Sequence, residues 1–107
     1  MGHSVQDLSP TDVAEGIRAG RYLLVDVREP NEVQAEAYPD SVVIPLSAFD
    51  PADIPDPNGK EVVFACRSGR RSVTASQAAQ AAGLQYNKHL AGGILAWKAA
   101  GLPTQNG

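Results

Sequence analysis

Thiol chemistry is scarce in this chain: of 107 residues only Cys66 is a cysteine. That excludes an internal disulfide and any metal site built on two thiolates. The two histidines, His3 and His89, do not complete a convincing zinc set. Long apolar runs are also missing. No stretch approaches the roughly 18 consecutive apolar residues of a membrane span, and the N-terminus has no apolar signal core. Positive charge is not in excess either, since 9 Lys and Arg face 12 Asp and Glu for a net charge of -3. A sequence-wide field for holding a polyanion is therefore absent, and nucleic acid is excluded as the main partner. Internal repeats, charge blocks and low-complexity tracts do not occur.

What is present suits one small domain. Hydrophobic residues make up 43% of the chain, and a chain of this length buries roughly 60–70% of its unfolded surface without staples. We assign a single domain to residues 4–103 and a flexible tail to 104–107. Residues 1–3 read as a disordered start or an expression remnant. The expected location is the cytoplasm, the alternative being an export signal removed before this sequence begins.

Short apolar runs alternate with helical segments. Ser4 to Leu8 reads as an edge strand, followed by a helix that Ser9 caps, with Pro10 at its first position, Asp12 placed for a capping box, and Leu8 stapled to Val13. Gly20 stops that helix. Tyr22 to Val27 is a continuous apolar run broken only by Asp26, the pattern of a strand covered on both faces. Val42 to Ile44 and Glu61 to Ala65 read as two more buried strands, and Asn87 to Leu90 as a weaker one. Helical segments fall near Asn31 to Ala35, from about Ser72 to Ala82, and from about Gly93 to Ala100, and Asp50 to Gly59 is a Pro-rich surface connection. The alternation predicts an α/β fold, a small, mostly parallel sheet flanked by helices on both faces, with ligands beyond the carboxyl ends of its strands.

The chemistry concentrates in Cys66-Arg67-Ser68-Gly69-Arg70-Arg71-Ser72. A buried strand delivers the cysteine to a polar loop that enters a helix, so peptide N–H groups can converge on the sulfur. Cysteines in such surroundings have pKa values of about 3.5 to 7.5. Gly69 lets the loop curl with positive φ. Three of the nine basic residues lie between Cys66 and Arg71, so the local charge is opposite to the global one. Arg67 and Arg70 are candidates for touching a substrate, with solvated surface charges as the bland reading. Arg71, where the helix begins, is expected to brace Asp26 as a carboxylate–guanidinium pair. Arg28 and Glu29 are expected to be supporting or exposed charges. A Cys66–His89 pair is set aside in favour of a solvent-edge or satisfied strand histidine. Trp97 and Ile94 read as core, Gly92-Gly93 as a tight backbone approach, and Tyr38 and Tyr86 carry no readable role.

With these residues in view, the chain resembles a single-domain rhodanese of the thiosulfate sulfurtransferase-like family over nearly its whole length. Leu23 to Glu29 is similar to the first strand motif, Val43 to Leu46 to the next strand end, Cys66 to Ser72 to the active-site loop, and Leu90 to Lys98 with Gly101-Leu102-Pro103 to the closing helix. Many relatives carry Gly-His-Ile-x-Gly where this chain reads Glu36-Ala37-Tyr38-Pro39-Asp40, which departs from the family turn and any partner contact made there. The resemblance implies a rhodanese-like domain whose loop cysteine, here Cys66, carries a sulfane sulfur as a persulfide. Arg67, Ser68, Gly69, Arg70 and Arg71 would form the substrate-binding loop, supported by Asp26, Arg28 and Ser72. The implied partners are a small anionic donor such as thiosulfate and an acceptor that is a thiol, a protein thiol or cyanide, with no metal and no cofactor.

Two other readings share these residues. A non-catalytic rhodanese-like docking or sensor module would use the fold for binding alone. A cysteine-dependent phosphatase or arsenate reductase would use the same strand, thiolate loop and arginine. Its loop would enclose one residue more than the four between Cys66 and Arg71, and the shorter contour suits one sulfur better than a tetrahedral oxyanion.

Overall fold

The computed structural model describes residues 3–106. Of the expected unstructured start, Met1 and Gly2 lie outside the described residues, as does Gly107 at the end of the expected tail. Strand β1 (Gln6–Leu8) leads to helix α1 (Pro10–Arg18), β2 (Tyr22–Asp26), α2 (Pro30–Ala35) and β3 (Ser41–Val43). Two single-turn 3-10 helices, Leu46–Ala48 and Pro51–Asp53, precede β4 (Glu61–Ala65), α3 (Arg71–Ala81), β5 (Lys88–Leu90) and α4 (Gly93–Ala99). The strands form one sheet in the order β1-β5-β4-β2-β3, with every pairing parallel.

Local chemistry accounts for several boundaries. The Ser9 hydroxyl accepts from the Asp12 N–H at 3.2 Å, closing one of the free amides at the start of α1, and Pro10 occupies the first turn where its missing N–H costs nothing. Gly20, just past the end of α1, has φ of 76°, the left-handed conformation that ends helices. Thr104 and Gln105, within the expected tail, hydrogen-bond back to Glu36 and Ala37.

Alternation along the central strands sorts side chains into two layers. Leu24, Val63 and Ala65 face a cluster with Val13, Ile94 and Trp97, beneath α1 and α4. Val25, Val62, Phe64 and Cys66 face the opposite cluster with Ala75 and Ala79 of α3. Cys66, one residue past β4, therefore continues the strand's two-residue period into the α3 layer. The chain leaves β2 toward β3 on one side and leaves β4 toward β5 on the other, so the β2/β4 pair is the switch point where such sheets open a crevice. The expected burial of Val42 to Ile44 is corrected: β3 is an edge strand with Val43 40% exposed, and only Ile44, beyond its end, is buried. A short apolar run does not distinguish a strand with two neighbours from one with a single neighbour.

The ion pairs also differ from expectation. Asp26 does not brace Arg71. Its carboxylate accepts from Arg28 Nε at 3.0 Å and Nη2 at 2.8 Å, and from the Arg28 peptide N–H at 3.0 Å, with both residues buried. The chain bends at the end of β2, so a guanidinium two residues on wraps back and satisfies the carboxylate before one from α3 can reach it. Arg71 instead forms a bidentate pair with Glu32 of α2, at 2.6 and 2.8 Å. That hydrogen-bonded guanidinium holds the Glu32 carboxyl down at about 2.

Each pair predicts a stability change. Asp26→Ala strands the Arg28 charge inside the protein and is expected to cost about 3–5 kcal/mol in urea denaturation; a loss below about 1 kcal/mol would contradict the pairing. Glu32→Gln is expected to cost about 1–2 kcal/mol at neutral pH. Because the folded-state pKa is depressed, the stabilisation is full above the ordinary value of 4.5 and disappears as pH falls toward about 2. The wild-type and variant stability curves should converge in that window, and parallel curves would exclude the linkage.

Candidate active site

The site grows from the end of β4. Its side-chain centre is Cys66, which has no exposed surface. The Gly69 N–H donates to the sulfur at 3.1 Å, and the Ser72 hydroxyl lies 3.5 Å from it. Burial pushes the thiol pKa up, but the Ser72 hydroxyl and the N–H groups of Ser72, Gly69 and Ser68 outweigh it, so Cys66 ionises below its ordinary value. The loop can turn its amides inward because Gly69 has φ of 96°. The side chains of Arg67, Ser68 and Arg70 are then left outside, all exposed. No ion pair to Arg67 or Arg70 is found among the described residues. They make a cationic rim above the enclosed sulfur.

The loop is also held from behind. The carbonyls of Cys66 and Arg67 accept from the N–H groups of Ile94 and Leu95 in the first turn of α4, at 3.0 and 3.2 Å. This close approach requires glycine at position 93, where an added Cβ would overlap the Arg67 carbonyl. The Gly92-Gly93 signal thus marks contact with the cysteine loop itself. The Tyr38 hydroxyl donates to the Cys66 carbonyl at 2.6 Å. Burial raises the phenol's pKa, which keeps that donor protonated. Tyr38 also packs edge-on against Trp97, ring centroids 5.5 Å apart, and lies beneath the Arg28 guanidinium at 5.2 Å. Arg28 is therefore a buried support, joined to the loop through Tyr38.

The Cys66 sulfur, the Ser68 and Gly69 N–H groups and Ser72 converge on one point, whereas the side chains of Arg67, Ser68 and Arg70 face outward. Arg71 belongs to the loop but is turned onto Glu32 and away from the sulfur's donors. Sequence reasoning missed Tyr38, which sits in the turn that departs from the family pattern. It also missed the surroundings of His89, whose ring lies 2.8 Å from Ser72 Oγ and 2.6 Å from Asp7 Oδ1. Only the strand register, which places Asp7 beside His89, reveals that contact.

Beside the loop is a shallow cavity of about 280 Å³ whose wall includes Arg28, Arg67, Leu95 and Lys98. Cys66 is not part of its lining. A larger groove of about 450 Å³, between Ile17, Pro39, Trp97 and Leu102, contains no residue of the cysteine loop. Among the described residues no helix is long and apolar enough to cross a membrane.

Comparison with known proteins agrees with this arrangement. Residues 9–100 match the Rhodanese-like domain family. An uncharacterized protein of Synechocystis is 48% identical over 82 residues, which cover 77% of this chain and 46% of that protein. A protein of Allochromatium vinosum named sulfurtransferase is 37% identical over 81 residues, covering 76% of each. The crystal structure of a rhodanese-related protein from Thermoplasma volcanium superposes with a TM-score of 0.81 at 29% identity, covering 95% of this chain and 99% of the other. The parallel sheet, the loop at its switch point and a match spanning most of the sequence together place this chain in the rhodanese-like family.

Proposed function

We propose that the protein is a sulfurtransferase that carries a sulfane sulfur on Cys66, taking it from a small anionic donor such as thiosulfate or a persulfide and passing it to a thiol, a protein thiol or cyanide. The observation that carries this reading is the set of donors around the sulfur, namely the Gly69 N–H at 3.1 Å, the Ser72 hydroxyl at 3.5 Å and the neighbouring amides of the loop. They favour a sulfur anion in a site that burial alone would keep neutral.

In the first step the Cys66 thiolate attacks the outer sulfur of thiosulfate. A Cys–S–S bond forms, the donor's S–S bond breaks, and sulfite leaves with its electron pair. The terminal sulfur of the persulfide is anionic and would occupy the same ring of N–H donors. In the second step an acceptor thiolate or cyanide attacks that terminal sulfur, and Cys66 departs as thiolate. Neither step consumes an external oxidant or reductant. The exposed Arg67 and Arg70 draw anionic donors toward the loop. Because Cys66 has no exposed surface, the exposed side chains of Arg67, Ser68 and Arg70 must move aside for a donor to reach the sulfur.

The position of Arg71 weighs against the phosphatase reading. A phosphoryl group needs a guanidinium over its oxygens, and Arg71 is engaged by Glu32. A docking module, for its part, has no use for a sulfur ringed by donors.

Incubation with thiosulfate followed by intact-mass measurement should show the gain of one sulfur atom, released as thiocyanate on adding cyanide. Cys66→Ser should show neither. An unmodified wild-type mass with every tested donor, or sulfur uptake that survives in Cys66→Ser, would overturn the proposal.

A further inference from the structure

His89 lies on β5 between β1 and β4, with its side chain only 4% exposed. The register sets Asp7 of β1 beside it and Phe64 of β4 on the other side. Its Nε2 is 2.6 Å from Asp7 Oδ1, its Nδ1 is 2.8 Å from Ser72 Oγ, and Ser72 Oγ is 3.5 Å from Cys66 Sγ. These contacts form an unbroken line from an exposed carboxylate to the buried sulfur. The titratable groups facing His89 are Asp7 from β1 and, through Ser72 of α3, Cys66 beyond β4. Its neighbour Lys88 is committed to Glu61 at 2.8 Å.

Donor and acceptor counting along this line permits two arrangements. A carboxylate only accepts, so His89 Nε2 carries a hydrogen directed at Asp7. With a neutral imidazole, Nδ1 is bare and takes the Ser72 hydroxyl hydrogen, which leaves the Ser72 oxygen to accept from the Cys66 thiol. With an imidazolium, Nδ1–H donates to Ser72 Oγ, and the Ser72 hydroxyl turns its hydrogen to the sulfur, now a thiolate. Every hydrogen is bonded in both arrangements, and they differ by the net transfer of one proton from Cys66 to His89.

We propose that Ser72, His89 and Asp7 form a proton relay for Cys66, with His89 as a positioning residue that holds the proton released when the buried thiol ionises. The Cys66 S–H bond breaks and its electron pair stays on sulfur. That proton passes to Ser72 Oγ as the hydroxyl's own proton passes to His89 Nδ1, and the resulting imidazolium is balanced by Asp7. A nucleophile with no exposed surface thereby ionises without releasing its proton directly to water. The inference rests on the reading of Cys66 as the nucleophile, but it concerns ionisation alone.

The test follows the Cys66 thiolate as the ultraviolet absorbance that Cys66→Ser lacks, against pH, in wild type, His89→Leu and Asp7→Asn. Nitrogen-15 shifts of the His89 ring are recorded in parallel. Both variants should raise the midpoint of thiolate formation, His89→Leu enough to cut the thiolate fraction near neutrality about tenfold and Asp7→Asn by less. In wild type the ring should keep Nδ1–H while the Cys66 thiolate first appears, and the two groups should lose their protons in two coupled steps that Cys66→Ser reduces to one. Asp7 is a surface residue, so Asp7→Asn decides the matter even if His89→Leu does not fold. An unchanged midpoint in Asp7→Asn together with a ring indifferent to Cys66 ionisation would overturn the relay. Neither readout requires turnover: a coupled titration in a protein that accepts no sulfur would refute the proposed activity and leave the relay standing.

Discussion

A sulfur atom enclosed on every side can hold negative charge only if hydrogen-bond donors replace the water it has lost, and that exchange is the constraint on which the rest of this structure depends. Around Cys66 the donors are peptide N–H groups and one hydroxyl. Peptide donors must be aimed by backbone conformation, because they have no side chain to adjust. The positive φ at Gly69 and the close approach at Gly93 are the consequences.

Two networks of unlike chemistry keep the loop in that conformation. On the β2 side, the buried Asp26–Arg28 pair lies over Tyr38, whose hydroxyl fixes the Cys66 carbonyl. On the β5 side, Ser72 approaches the sulfur itself, with His89 and then Asp7 in line behind it. The first network joins a buried ion pair to a phenol that stays protonated, so it acts as a brace. The second places a hydroxyl 3.5 Å from the sulfur with an imidazole behind it, the line of groups that the proposed relay uses. The sheet order, with β4 between β2 and β5, lets one cysteine receive both.

Much of this architecture was legible in the chain because it depends on neighbours in sequence. Ser9 and Pro10 announced α1, the apolar runs announced β2 and β4, and Cys66 followed by Gly69 within a basic segment announced the loop. What was not legible depends on partners brought together by the fold. Asp26 and Arg71 both lie at element ends and read as partners, but the nearer Arg28 reaches the carboxylate first. The edge position of β3 left Val43 open to solvent, which its apolar sequence does not reveal. Tyr38 stands in a turn that departs from the family pattern, so no motif pointed to its bond with the Cys66 carbonyl. His89 reads as a solvent-edge or satisfied strand histidine; it is not at the solvent edge but buried, and it is satisfied by Asp7 and Ser72 in line with the cysteine.

The central claim is that Cys66 carries the transferred sulfur inside the ring formed by Ser68, Gly69 and Ser72. Its most direct test is a high-resolution crystal structure of the protein after exposure to thiosulfate. One additional sulfur bonded to Cys66 Sγ at about 2.05 Å is expected, facing the loop amides. An unmodified Cys66 in crystals of protein competent for sulfur transfer, with the sulfur bound elsewhere, would contradict it.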